Sequence, residues 1–106
     1  MKTPLFILAA ALATSLPVHA KGDYEAGKTK SASCAACHGA DGVSTVPSFP
    51  MLAGQHRDYL YHAIKDYKSG KRNNPVMAEQ VKALSDADMQ DLAMYFSKQK
   101  GLTLKY

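Results

Sequence analysis

Apolar side chains fall along this chain in one unbroken run and then in spaced stripes. Leu5-Phe6-Ile7-Leu8-Ala9-Ala10-Ala11-Leu12 is continuous; beyond residue 20 nothing comparable recurs. Leu60, Ala63, Ile64 and Tyr67 follow i, i+3, i+4, i+7 spacing and predict an amphipathic helix over residues 56–69. Gly70 ends it, with Lys68 in its last turn. Met89, Leu92, Ala93 and Phe96 form a second stripe, on a last helix that starts at the N-cap Ser85. Asp86 and Asp88 suit the positive end of that helix. A first helix is predicted within Gly22–Ser33, with Asp23 as N-cap and Tyr24, Gly27 and Ser31 near one face. Gly27 costs that helix up to ~1 kcal/mol against Ala, and such a glycine lets another helix come close. Residues 39–50 and 71–75 read as loops, rich in Gly, Pro and short polar residues. A short helical piece is expected through Glu79–Leu84. No stretch beyond residue 20 alternates as a strand does. The expectation is all-α: three main helices, a short one, and long loops.

The unbroken run has its own meaning. Lys2 precedes it, Pro17 breaks it, and Val18-His19-Ala20 offers the residue types a signal peptidase inspects. Residues 1–20 therefore read as a cleaved signal peptide, cut between Ala20 and Lys21. An uncleaved membrane anchor is the alternative, but the run falls short of the ~20 residues that span a bilayer. The remaining residues, 21–106, make one domain near the size at which a single core is marginally stable.

That domain has no tryptophan and two cysteines, so no disulfide framework staples it. Some other apolar body must supply buried surface. Its basic side chains outnumber the acidic ones, 12 to 9 once Lys2 is set aside. The lysines are scattered, which argues against nucleic acid. A mild positive balance can steer the chain toward an acidic redox partner, or simply keep it soluble.

Both cysteines fall in Cys34-Ala35-Ala36-Cys37-His38. Cys-x-x-Cys-His is the attachment signature of a c-type haem: two thiols to add across the vinyl groups, and an imidazole to bind iron. The rivals fare worse. A zinc site needs about four ligands, and His56 and His62, six residues apart on one helix, project about 240° apart. A thioredoxin-like redox pair expects strands around it. A plain disulfide leaves His38 and the long loops without a purpose. A haem accounts for both, since the loop after His38 can wrap its edge.

His38 supplies one axial ligand. For the other, the candidates are Met51, Met77, Met89, Met94, His56 and His62. Met89 lies in an apolar stripe and Met94 on the opposite, solvent-facing side of the same helix. His56 opens a helix as a polar residue, and His62 lies off the stripe. Met51 comes 13 residues after His38, close to the proximal side. Met77 follows a Pro-containing loop between two helices, 39 residues on, and can cross to the far face. Met77 is favoured, Met51 is next, and an open sixth site is third.

With these residues in view, the chain resembles the class I cytochromes c, above all the short bacterial periplasmic members: the single-haem c-553 type and the halves of dihaem cytochromes c4. The resemblance rests on Cys34 through Gly42, Pro50-Met51-Leu52-Ala53-Gly54-Gln55, Tyr59-Leu60, Met77, Leu84-Ser85-Asp86 and Leu92-Ala93-Met94-Tyr95-Phe96. Methionine after Pro50 departs from the family pattern. The resemblance implies the class I fold and one covalent haem c. It implies thioethers at Cys34 and Cys37, and His38 and Met77 as axial iron ligands. The Pro50 carbonyl would accept from the other nitrogen of His38, Leu52 would pack on the haem, and Gly27 would meet the last helix near Leu92 and Tyr95.

The function these readings imply is one-electron transport in the periplasm by a soluble monomer that is not an enzyme. Its partners would be a donor and an acceptor protein, such as a terminal oxidase or reductase, with lysines such as Lys28, Lys30 and Lys71 rimming the contact. Nucleic acid and stable membrane insertion are not expected. A fixed subunit of a redox complex is one alternative, and a haem module binding a small ligand at an open site is another.

Overall fold

The computed structural model describes residues 2–11 and 21–102. The predicted signal peptide over residues 1–20 therefore lies partly outside the described residues, cleavage-site residues included. Its described portion, residues 2–11, has no helix or strand, and Leu5, Phe6, Ile7 and Leu8 are exposed. Five helices follow: α1 Tyr24–Lys30, α2 Ala32–His38, α3 Arg57–Ser69, α4 Pro75–Val81 and α5 Asp86–Ser97. No strand occurs among the described residues. The all-α architecture expected from the stripes is present.

The first predicted helix is two. Asp23 caps α1 by accepting from the Ala26 N–H at 3.1 Å. The chain then turns at Ser31, whose hydroxyl donates to the Lys28 carbonyl at 2.7 Å, and α2 begins at the next residue. The haem motif therefore lies on a helix. The short fourth helix also starts earlier than expected, at Pro75. Asn74 Oδ1 accepts from the Val76 and Met77 N–H groups, and Pro75 takes the first helical position, where a missing N–H costs nothing. Met77 thus sits in the first turn of a capped helix and not in a loop.

Helix α5 is the hub, packing against α1 on one side and α3 on another. Ser85 and Asp88 form a reciprocal capping box at its start. Its buried side chains are Met89, Asp91, Leu92, Ala93, Tyr95 and Phe96, a wider set than one stripe. Asp91 and Tyr95 are added because α1 covers them, and Met94, expected to face solvent, is half-buried. The close approach is made at Gly27. A Cβ there would stand 2.0 Å from the Asp91 carbonyl oxygen and 2.8 Å from Tyr95 Cβ.

Polar groups seal the same junction. Asp91 accepts from the Asp23 N–H at 2.8 Å and from the Lys30 ammonium at 2.6 Å, so its buried carboxylate is satisfied. Lys30 also meets Asp88 at 2.8 Å. The Lys30 hydrogen bond, followed by the Ser85 N–H, holds the Asp88 carboxyl down from 3.8 to about 2. A pKa lower in the folded than in the unfolded chain adds stability above about 3.8 that is lost as pH falls through about 2. Urea midpoints of the native protein should drop over that acid window, and Asp88→Asn should flatten the drop.

Candidate functional site

Helix α2 presents Cys34, Cys37 and His38 at i, i+3 and i+4, the spacing that brings side chains to one helix face. Gly39, at φ +88°, ends the helix directly after His38. Cys34 is half-buried, Cys37 exposed and His38 buried. Both thiols are free. Burial pushes the Cys34 thiol pKa up, against a smaller lowering by Ser33. A thiol made reluctant to ionise is the opposite of what a redox-active pair requires.

The chain returns past this helix at Pro50. The Pro50 carbonyl lies 2.7 Å from His38 Nδ1. A carbonyl can only accept, so Nδ1 carries the proton and Nε2 keeps its lone pair for another partner. The long loop is bound into the fold on its far side. The Leu52 and Ala53 N–H groups donate to the Gly42 carbonyl, Gly54 N–H donates to the Phe96 carbonyl, and the Tyr95 hydroxyl donates to the Ala40 carbonyl. Helix α5 thereby holds both ends of the loop that orients His38.

Cys34, Cys37 and His38 open into a cavity of about 420 Å³. Pro50, Met51 and Leu52 line it from the loop, Leu60, Ala63, Ile64 and Tyr67 from α3, Met77 and Val81 from α4, and Leu92 and Phe96 from α5. The apolar stripe of α3 is therefore only partly core: Leu60 is buried, while Ala63, Ile64 and Tyr67 are half-buried and line the cavity. Native interiors hold few voids larger than a water molecule, and a water claims about 30 Å³. A mostly apolar cavity of 420 Å³ is instead shaped for a large apolar guest. Two thiols, a histidine with a free Nε2 and a methionine thioether all border it, so the donor set fits haem c.

The structure brings Cys34, Cys37, His38, Pro50, Leu52 and Met77 to this one cavity, together with Met51. Met89 and Met94, and the exposed His56 and His62, are not among its lining residues. Among the described residues no cluster of three or more His, Cys, Asp or Glu could hold a bare metal ion. Lys28 and Lys71 are exposed and do not line the cavity. Lys30 does not line it either, because its ammonium is taken by Asp88 and Asp91. Sequence reasoning missed Asn74 and Arg72, which both line the cavity. The Asn-Pro pair was a legible cap signal for the first; nothing local marked the second.

Comparison with known proteins agrees with this geometry. The family model for cytochrome c matches residues 24–100. A cytochrome c4 of Pseudomonas aeruginosa is 51% identical over 82 residues, covering 77% of this chain and 41% of the relative. Cytochrome c-554(548) of Halomonas halodenitrificans is 43% identical over 82 residues, covering 74% of this chain and 99% of the relative. Among solved structures, the reduced recombinant cytochrome c4 of Pseudomonas stutzeri superposes with a TM-score of 0.73 at 46% identity, over 76% of this chain and 47% of the other. The chain thus spans less than half the length of the cytochrome c4 relatives it matches.

Proposed function

Since the chain belongs to the cytochrome c family and so carries covalently bound haem c, we propose that it is a monohaem one-electron carrier between redox proteins. One observation supports this most: a single cavity gathers Cys34, Cys37, His38 and Met77, with His38 already fixed by Pro50.

Each residue has a role in this reading. The Cys34 and Cys37 sulfurs anchor the cofactor. His38 would bind the iron through Nε2, and the Pro50 carbonyl holds its tautomer and ring plane. Met77, in the first turn of the helix capped by Asn74, would offer its thioether as the second iron ligand. Leu52, Ile64 and Phe96 keep water from the site. When bound, haem c supplies an iron that changes by one electron between Fe(II) and Fe(III), and a methionine ligand raises its potential. Among the described residues no carboxylate lines the cavity, and in this reading the histidine and the two cysteines on its wall hold the cofactor.

The partners are donor and acceptor proteins that dock briefly, over a small interface. The leader-like residues 1–20 support a periplasmic location, with a single domain after Ala20. Among the described residues, no helix is long and apolar enough to cross a membrane. A relative named as a thiosulfate dehydrogenase electron acceptor, 39% identical over 95 residues, favours a second reading, a haem-bearing unit held within a larger redox assembly. Native purification with or without a bound partner separates the two.

Met51 shares the cavity with Met77, so the ligand assignment has a direct test. Met77→Ala should abolish the weak far-red band of the ferric protein and lower the midpoint potential. Met51→Ala, next to Pro50 on the histidine side, should leave both in place. The reverse pattern would transfer the role to Met51.

A further inference from the structure

The methionines among the described residues differ sharply in their access to solvent. Met89 is 5% exposed, Met77 and Met94 are half-buried, and Met51 is 37% exposed. Met51 nevertheless lines the cavity, as Met77 does. It is thus the described methionine that both meets solvent and forms part of the cavity wall. The backbone around it is held on both sides. The Pro50 carbonyl lies 2.7 Å from His38 Nδ1, and the Leu52 N–H donates to the Gly42 carbonyl at 2.8 Å. The Met51 thioether is therefore kept at the wall, one residue from the contact that orients His38.

A thioether differs from the leucine beside it in one chemical respect: it accepts an oxygen atom. Hydrogen peroxide transfers one oxygen to the sulfur, its O–O bond breaks, and water leaves with both hydrogens. The electron pair given up by sulfur is the pair that reduces the peroxide. The sulfoxide is polar where the thioether was apolar, and reductases return it to methionine. Access decides which sulfur reacts first. Met89 and Met94 are packed on α5, and in the carrier reading the Met77 sulfur is turned to the iron. Met51 has neither protection.

We propose that Met51 is an oxidant-sensitive site, converted to its sulfoxide by peroxide while the other methionines are spared, and that this conversion lowers the reduction potential of the haem. The second half rests on the haem-bound carrier reading above; the first does not. The direction follows from polarity. The apolar shell of a site sets its dielectric and with it the potential of a bound metal. Ferric iron carries one more positive charge than ferrous, so a sulfoxide dipole on the wall, and the water it draws in, favour the ferric state. An oxidising surrounding thus makes the carrier a weaker oxidant, and reduction of the sulfoxide restores it.

The experiment treats the haem-loaded protein with limiting hydrogen peroxide. Tandem mass spectrometry of its peptides locates the added oxygen, and the midpoint potential and far-red band are recorded before and after. One oxygen should appear on Met51 and none on Met77, Met89 or Met94. The midpoint should shift downward while the far-red band persists. Oxygen appearing first on another methionine, or on the Cys34 or Cys37 sulfur, overturns the proposal, and so does an unchanged midpoint once Met51 is oxidised. Met51→Leu keeps the apolar bulk without the reactive sulfur. Its midpoint should match the untreated wild type and hold through the treatment; a fall equal to that of the wild type overturns the proposal. Should Met51→Leu fail to mature, a methionine sulfoxide reductase added to the treated wild type decides. Recovery of the midpoint supports the switch, and a midpoint that stays low after Met51 is reduced refutes it. Failure of the carrier reading is distinct, because the untreated wild type would then lack the far-red band.

Discussion

A Cys34→Ala/Cys37→Ala double variant is expected to lose covalent haem altogether. After separation under denaturing conditions, a haem-dependent peroxidase stain should follow the wild-type chain and not the variant. His38 and Met77 would remain, but coordinate bonds do not survive unfolding as thioethers do. The fold should suffer as well. Leu52, Ile64, Tyr67, Met77 and Leu84 are only half-buried, and all five border the cavity. Completing the burial of such side chains is worth about 1 kcal/mol or more each. Five of them together approach the 5–15 kcal/mol that separates a typical folded chain from its unfolded state. The variant should therefore show a broad or absent unfolding transition. A haem stain that still migrates with the double variant would refute the assignment of these two cysteines.

Gly27→Ala should destabilise the protein although alanine is the better helix former. Helix propensity favours the change by up to ~1 kcal/mol. Against that stands a Cβ 2.0 Å from the Asp91 carbonyl oxygen, a backbone atom in the middle of α5 that cannot swing aside. Overpacking of this kind costs about 1–3 kcal/mol. Here it must also push apart helices that Asp23, Lys30 and Asp91 join, so a net loss of about 2 kcal/mol is expected, and more for Gly27→Val. Denaturant midpoints of the haem-loaded proteins measure it. An Ala variant at least as stable as the wild type would mean that α1 and α5 can separate freely.

Local chemistry made much of this legible. The stripes on α3 and α5, the Ser85 cap and the Gly70 stop are local signals, and the structure places the helices where those signals fall. Gly27 was legible as a point of close approach, although the carbonyl it meets belongs to Asp91 and not to the Leu92 side of α5. The misplaced fourth helix came from weighting Pro75 as a loop residue. At the first helical position, behind an asparagine cap, proline begins a helix. The exposure of Met94 was misjudged because a stripe describes one packed face, and α5 is packed on two. What stayed hidden is the division of the α3 stripe between core and cavity. Ala63, Ile64 and Tyr67 carry the periodicity of a core face whether a protein helix or a flat cofactor lies opposite. Arg72 was hidden for the converse reason: in sequence it belongs to a polar turn, and only the folded chain lays it over Tyr67 at the cavity rim.

The central claim is a two-ligand site that holds haem c for electron transfer. Its most direct test is the absorption spectrum of the purified protein, oxidised and reduced, before and after carbon monoxide is added. His38 and Met77 ligation predicts low-spin spectra in both states, a weak far-red band in the oxidised form, and no shift of the reduced form with carbon monoxide. A high-spin spectrum that moves as soon as carbon monoxide is added would contradict the account, and would leave an open-site haem protein in its place.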